Sequence, residues 1–136
     1  MSKKPPLTWT TPVLCVHDMT QTLEHYETVL GFDILWTWSP KEAFETPKSP
    51  SFCCVGRGEC SLFLCEQGQG QPGSWTCLNL GSVADLEALH QEYQESGANI
   101  LEAPLDRSWG MCEMVVQDLD GNVFRFGASI AEADCA

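Results

Sequence analysis

Three histidines, eight cysteines, nineteen acidic side chains and five tryptophans carry most of the chemistry open to this 136-residue chain. Metal chemistry needs donor atoms grouped at ligand spacing. His25 and His90 fall inside helical patterns and read as solvated surface residues. His17 stands at a strand-to-helix corner, where a capping or surface imidazole is ordinary. No two of the three are spaced as ligands. The cysteines, at positions 15, 53, 54, 60, 65, 77, 112 and 135, include no Cys-x-x-Cys pair, so zinc-ribbon and thioredoxin-type sites lack their spacing. Cys15, Cys65, Cys77 and Cys112 sit in apolar strand-like runs, where a thiol acts as a small buried hydrophobe. The Cys53-Cys54 pair has no chemistry to assign. A Gly-x-Ser-x-Gly elbow, a Gly-x-x-x-x-Gly-Lys phosphate loop and a dinucleotide fingerprint are all missing. Carboxylates are plentiful, but nothing in the sequence sets two of them in one pocket. The aromatic residues say more. Trp36 and Trp38 lie two apart on a strand candidate and so project from one face, together with Ile34. Such a face either packs a core or a dimer, or stacks a planar or cationic ligand.

Composition limits the partners. Apolar residues make up 43% and charged residues 19%, which is globular composition. No apolar run approaches the roughly 18 residues of a membrane span. Seven basic against nineteen acidic residues leave a net charge of -12. That charge repels phosphate backbones and anionic lipid, so nucleic acid and membrane are disfavoured while cationic ligands are tolerated. Lys3 and Lys4 are followed by Pro5, Pro6, Thr8 and Thr10 rather than a hydrophobic signal core, so a cytoplasmic location with reduced thiols is expected.

A duplicated framework positions these residues. Shifted by 66, Gly31-Phe-Asp-Ile-Leu35 falls on Gly97-Ala-Asn-Ile-Leu101, and Leu14 and Leu23 fall on Leu80 and Leu89. Each copy opens with a strand candidate (12–17; 77–80) and an N-cap, Asp18 or Thr20 in the first and Ser82 or Asp85 in the second. An amphipathic helix follows, with stripes Leu23, Tyr26, Leu30 and Leu86, Leu89, Tyr93, stopped by Gly31 and Gly97. Three strand candidates complete each copy: 33–38, 51–56 and 61–66, then 99–102, 112–117 and 122–127. The segment 68–73, rich in Gly, Gln and Pro, is the natural linker, and 47–50 is a loop. The chain therefore reads as one α+β domain over 1–136: βαβββ module one at 8–67, linker 68–74, and βαβββ module two at 75–130. One helix covers one face of each sheet, which leaves the other face as a concave surface for a ligand.

Two stretches, Pro12-Val-Leu-Cys-Val-His-Asp18 through Leu30-Gly-Phe32, and Ser108-Trp-Gly110 through Asp118-Leu-Asp-Gly-Asn122 to Gly127, resemble the glyoxalase / bleomycin-resistance / extradiol dioxygenase (vicinal oxygen chelate) superfamily. The Trp-Gly and Asp-x-Asp-Gly-Asn segment is most similar to its bleomycin-resistance branch, although the family's proline between the two aspartates is Leu119 here. The resemblance implies paired βαβββ modules forming a half-open barrel and a homodimer with two ligand clefts. It also implies metal ligands, commonly His, His and Glu, on the first and last strands. Those positions correspond to Thr11, Leu78 and Arg125, which are not a divalent-metal set. No metal and no other cofactor is therefore expected.

On that frame Val13 and Cys15 join Thr11, Val123 and Gly127 join Arg125, and Thr76 and Leu80 join Leu78 on the cavity side. Pro12, Leu14, Val16, Phe124 and Phe126 face the helices. Arg125 needs an anion, and Glu113 on the neighbouring strand candidate is its expected partner. In the family branch the segment holding Trp109 lines the ligand groove, and Trp75 flanks the linker. The expected ligand-binding set is Trp36, Trp38, Phe52, Trp109, Glu113 and Arg125. Glu42, Glu45, Glu66 and Glu113 are expected to attract cations, and Phe44 and Phe52 to close the loop side. The expected function is non-enzymatic sequestration of a bulky planar or cationic compound between subunits, as an antibiotic-resistance protein does. The alternative is a metal-dependent lyase, isomerase or dioxygenase with displaced ligands.

Overall fold

The computed structural model describes residues 4–40, 50–66 and 68–130. Glu42, Phe44, Glu45, loop residues 47–49 and Cys135 lie outside them. Alternating apolar runs and two capped amphipathic segments give ten elements: β1 (Val13–Val16), α1 (Met19–Thr28), β2 (Asp33–Trp38), β3 (Phe52–Arg57), β4 (Cys60–Glu66), β5 (Trp75–Asn79), α2 (Val83–Ser96), β6 (Asn99–Asp106), β7 (Met111–Gln117) and β8 (Val123–Ser129). They form two open four-stranded sheets of the same order, β1-β4-β3-β2 and β5-β8-β7-β6. In each, the first strand runs parallel to the last and the remaining pairs are antiparallel. The two βαβββ modules are thus present, and neither sheet closes into a barrel.

Both expected caps form. The Asp18 carboxylate accepts from the Gln21 backbone N–H, and the Ser82 hydroxyl accepts from Asp85. Gly97 ends α2 with φ +84°, a left-handed conformation that costs glycine nothing. One apolar core serves both modules. Leu14, Val16, Tyr26, Leu30, Leu62 and Leu64 from the first merge with Leu86, Leu89, Tyr93, Met114, Phe124 and Phe126 from the second. Polar bonds stitch the same seam. The Tyr26 hydroxyl donates to Asp118 Oδ2 at 2.6 Å, Thr22 donates to Asp120 Oδ2 at 2.8 Å, and Tyr93 donates to the Leu30 carbonyl at 2.8 Å. The Asp118-to-Asn122 turn is therefore a structural clamp, with Asn122 Nδ2 reaching the Cys15 carbonyl across the module boundary.

Four readings of the sequence need correction. Ile34 does not share a face with the tryptophans. It registers with core residue Val55, whereas Trp36 registers with Cys54 after a bulge at Leu35. The extra residue reverses the alternation. Thr76, Leu78 and Leu80 are not cavity-facing. Thr76 and Leu78 lie opposite Phe124 and Phe126, and Leu78 and Leu80 pack against the core. Trp75, Cys77 and Asn79 are the open-face residues of β5, and Cys77 is exposed rather than buried. Neither helical histidine is fully solvated. His25 is half-buried, its ring nitrogen Nε2 has no partner among the described residues, and burial lowers its pKa below 6.5.

Candidate functional site

Each sheet keeps one face away from its helix. In module one, register puts Trp36 opposite Cys54, Trp38 opposite Phe52 and Cys54 opposite Phe63, so these side chains share the open face. Trp36 stacks on Phe52 at 5.8 Å between ring centroids, and Phe63 tilts against both, at 5.5 Å from Trp36 and 5.3 Å from Phe52. Trp36 and Phe52 are thus brought together as expected, with Trp38 beside them, while Phe63 was not singled out from the sequence. Its signal was its alternation with core residues Leu62 and Leu64 on β4.

Module two carries charge instead. Glu113 on β7 and Arg125 on β8 share the open face, with Glu113 opposite Gly127 and Arg125 opposite Val115. Arg125 Nε lies 3.8 Å from Glu113 Oε1, which is a charge contact rather than a hydrogen bond. The Trp109 indole N–H donates to Glu113 Oε2 at 3.3 Å. Arg107 was missed from sequence, although it stands only two residues before Trp109. Its Nε lies 3.6 Å from Glu113 Oε1, it forms an ion pair with Glu102, and its guanidinium stands 6.0 Å from the Trp109 ring. Arg125 in turn stands over Trp75, 5.7 Å from its ring. Trp109, Glu113 and Arg125 are therefore assembled, and Trp75 and Arg107 belong with them. The two groups of expected site residues occupy different sheets.

Of the acids expected to attract cations, the two described ones, Glu66 and Glu113, serve separate places. Glu66 accepts the Met19 N–H at 2.8 Å, which places it at the start of α1. Glu113 is enclosed by Trp109 and two guanidinium groups. Recesses of about 560 Å³ along Thr11, Cys60 and Cys77, and about 320 Å³ between Arg57 and Phe126, include none of Trp36, Phe52, Trp75, Trp109 and Arg125 in their linings.

The family's metal positions can be tested against this geometry. Thr11 lies seven residues before cap Asp18, and seven before cap Ser82 is Trp75, not Leu78. The resulting set is Thr11, Trp75 and Arg125, in which the third member is a permanent cation resting on the ring of the second. These residues do not fit a divalent ion. Among the described residues, no three His, Cys, Asp or Glu side chains gather as a metal site elsewhere.

Residues 8–126 match the Glyoxalase/Bleomycin resistance protein/Dioxygenase superfamily, and the chain belongs to that family. No curated protein sequence matches it. Solved structures share the fold. TioX from Micromonospora sp. ML1 is 17% identical with a TM-score of 0.71, over 90% of this chain and 100% of its own. The bleomycin resistance determinant encoded on transposon Tn5 is 23% identical with a TM-score of 0.69, over 91% and 99%. Virulence protein STM3117 from Salmonella typhimurium is 21% identical with a TM-score of 0.67, over 93% and 100%. No helix among the described residues is long and apolar enough to cross a membrane.

Proposed function

We propose that this chain is a non-enzymatic binding protein that holds a bulky planar small molecule against its open sheet faces. The observation that carries this reading is the exposure of four indoles on those faces: Trp36 at 44%, Trp38 at 56%, Trp75 at 62% and Trp109 at 61%. Large apolar rings left in water on a sheet face mark an interaction surface. They give a flat ligand stacking contact at little conformational cost. A homodimer that sets module one of one copy against module two of the other would turn two open faces into two equivalent clefts. A metal-dependent lyase, isomerase or dioxygenase would need a donor set that Thr11, Trp75 and Arg125 do not supply. The family's resistance members, the Tn5 determinant among them, make antibiotic sequestration a natural form of this activity. Seven free thiols among the described residues suit a reducing cytoplasm.

The test is a fluorescence titration of the purified chain with bleomycin and a set of polycyclic aromatic compounds, with sedimentation analysis of the same samples. Saturable tryptophan quenching by a planar compound, in a dimer, is the expected outcome. An unchanged emission spectrum across the whole set would overturn the proposal.

A further inference from the structure

We propose that the open face of module two selects a planar acid, with an aromatic ring against the indoles and a carboxylate on the Arg125 guanidinium. This rests on the reading above and names the ligand class. The charged groups at one place on this face balance in charge but not in hydrogen bonds. Two cations, Arg107 and Arg125, share the face with two carboxylates, Glu102 and Glu113. Arg107 touches both carboxylates, so its charge is matched. Glu113 is matched too: its side chain is 8% exposed, one oxygen takes the Trp109 indole N–H, and the other lies between the two Nε atoms with no hydrogen bond of its own. Arg125 is the exposed cation whose donors are unused. Its side chain is 40% exposed, its contact with Glu113 is longer than a hydrogen bond, and it donates no hydrogen bond to any described residue.

A guanidinium backed by an indole ring is partly desolvated on one side and keeps its donor fork for a planar anion. A carboxylate accepts that fork in two parallel bonds. Trp75 and Trp109 flank the position and supply ring faces for the rest of the molecule. A cationic ligand would meet Arg125 first, with the Glu113 oxygens buried behind it.

Isothermal titration with three compounds built on one ring separates the outcomes: 2-naphthoate, neutral naphthalene-2-methanol and cationic 2-naphthylmethylammonium. Wild-type protein should bind the acid at least about tenfold more tightly than the other two, the size expected of a charge-assisted contact. Arg125→Gln should bring the acid down to the neutral compound's affinity and leave the neutral compound within about twofold, while Arg125→Lys should recover part of the preference. In wild type, raising the salt from about 0.05 M to about 0.5 M should weaken the acid alone, a readout that needs no variant. A cation that binds tightest, or an acid preference that survives Arg125→Gln, overturns the acid assignment and leaves the planar-ligand reading standing. Failure of all three compounds to bind overturns both.

Discussion

Tyr26 shows how much one hydroxyl can fasten. The ring is fully buried and packs edge-on against Phe32 and Phe124, and its O–H reaches from α1 into the module-two turn to donate to Asp118. Burial first, and then the Asp118 charge, push its pKa well above 10, so it stays a donor at any ordinary pH. Tyr26→Phe keeps the ring contacts and removes the donor from a buried carboxylate. The expected loss is about 2 kcal/mol, read as a lower urea midpoint at unchanged slope. The sequence marked Tyr26 only as one member of an apolar stripe. Helical spacing reports which face a residue takes but not a partner 92 positions away. Cys77 teaches the converse: alternation was informative, but its apolar run concealed that β5 is an edge strand with one face in water. Cys53 and Cys54 are what their surroundings suggest, buried thiols with pKa values raised by burial, that of Cys53 to about 11.

The elements were legible where periodicity is strong and illegible where register shifts. Both helices, all eight strands and the caps follow from patterns of apolar residues and capping side chains. The Leu35 bulge does not, because an inserted residue leaves the composition of a strand unchanged while reversing its faces. The face of β5 failed for a related reason. The repeat offset is 66 at Gly31 and Gly97 but 64 at the helix caps, since Gly97 stands 15 positions after Ser82 and Gly31 only 13 after Asp18. Gly31 itself joins backbone to packing. Its φ is +73°, and a Cβ there would run into the Arg57 guanidinium and come within 2.8 Å of Glu92 Oε2. Gly31→Ala should therefore cost more than the roughly 1–2 kcal/mol of left-handed backbone alone, because it also displaces the Arg57–Glu92 pair. Gly97→Ala, at a φ of +84° with open space around its Cβ, should cost only the backbone part. Equal losses in thermal melts would show that the pair carries no weight.

Across the whole molecule, charge and pH act on the seam between modules. Arg57 holds Glu92 in two bonds of 2.6 and 2.8 Å, and that pairing keeps the Glu92 pKa below 4.5. A depressed carboxylate contributes stability above its ordinary pKa and loses it as the pH falls through the folded value. His25, with its pKa lowered by burial, takes its proton more readily when unfolded, so its contribution is lost as the pH falls below about 6.5. A chain of net charge -12 also sheds self-repulsion on acidification, so the informative quantity is the difference between wild type and variant. His25→Gln should flatten the loss that sets in below about pH 6.5, and Glu92→Gln should flatten it only below about 4.5. Urea melts across that range decide it, and a variant that tracks wild type would exclude the group from the pH response. The duplicated layout was legible in the sequence. The difference between the two open faces, one aromatic and one ionic, was only partly so, because Arg107 and Phe63 gain meaning through neighbours on other strands.

The end of α1 has a consequence for synthesis. The carbonyls just past its last residue, of Val29 and Leu30, are taken up by the Ser96 hydroxyl and the Tyr93 hydroxyl of α2. A nascent chain that has emerged only as far as the linker has Arg57 for the Leu30 carbonyl, but the two α2 hydroxyls are still inside the ribosome. The first half must wait, its apolar stripe uncovered, until Asp118 and Phe124 of module two are out as well. Pausing translation within the linker should therefore yield a protease-sensitive stump, and native protection should arrive in one step only once β8 has emerged.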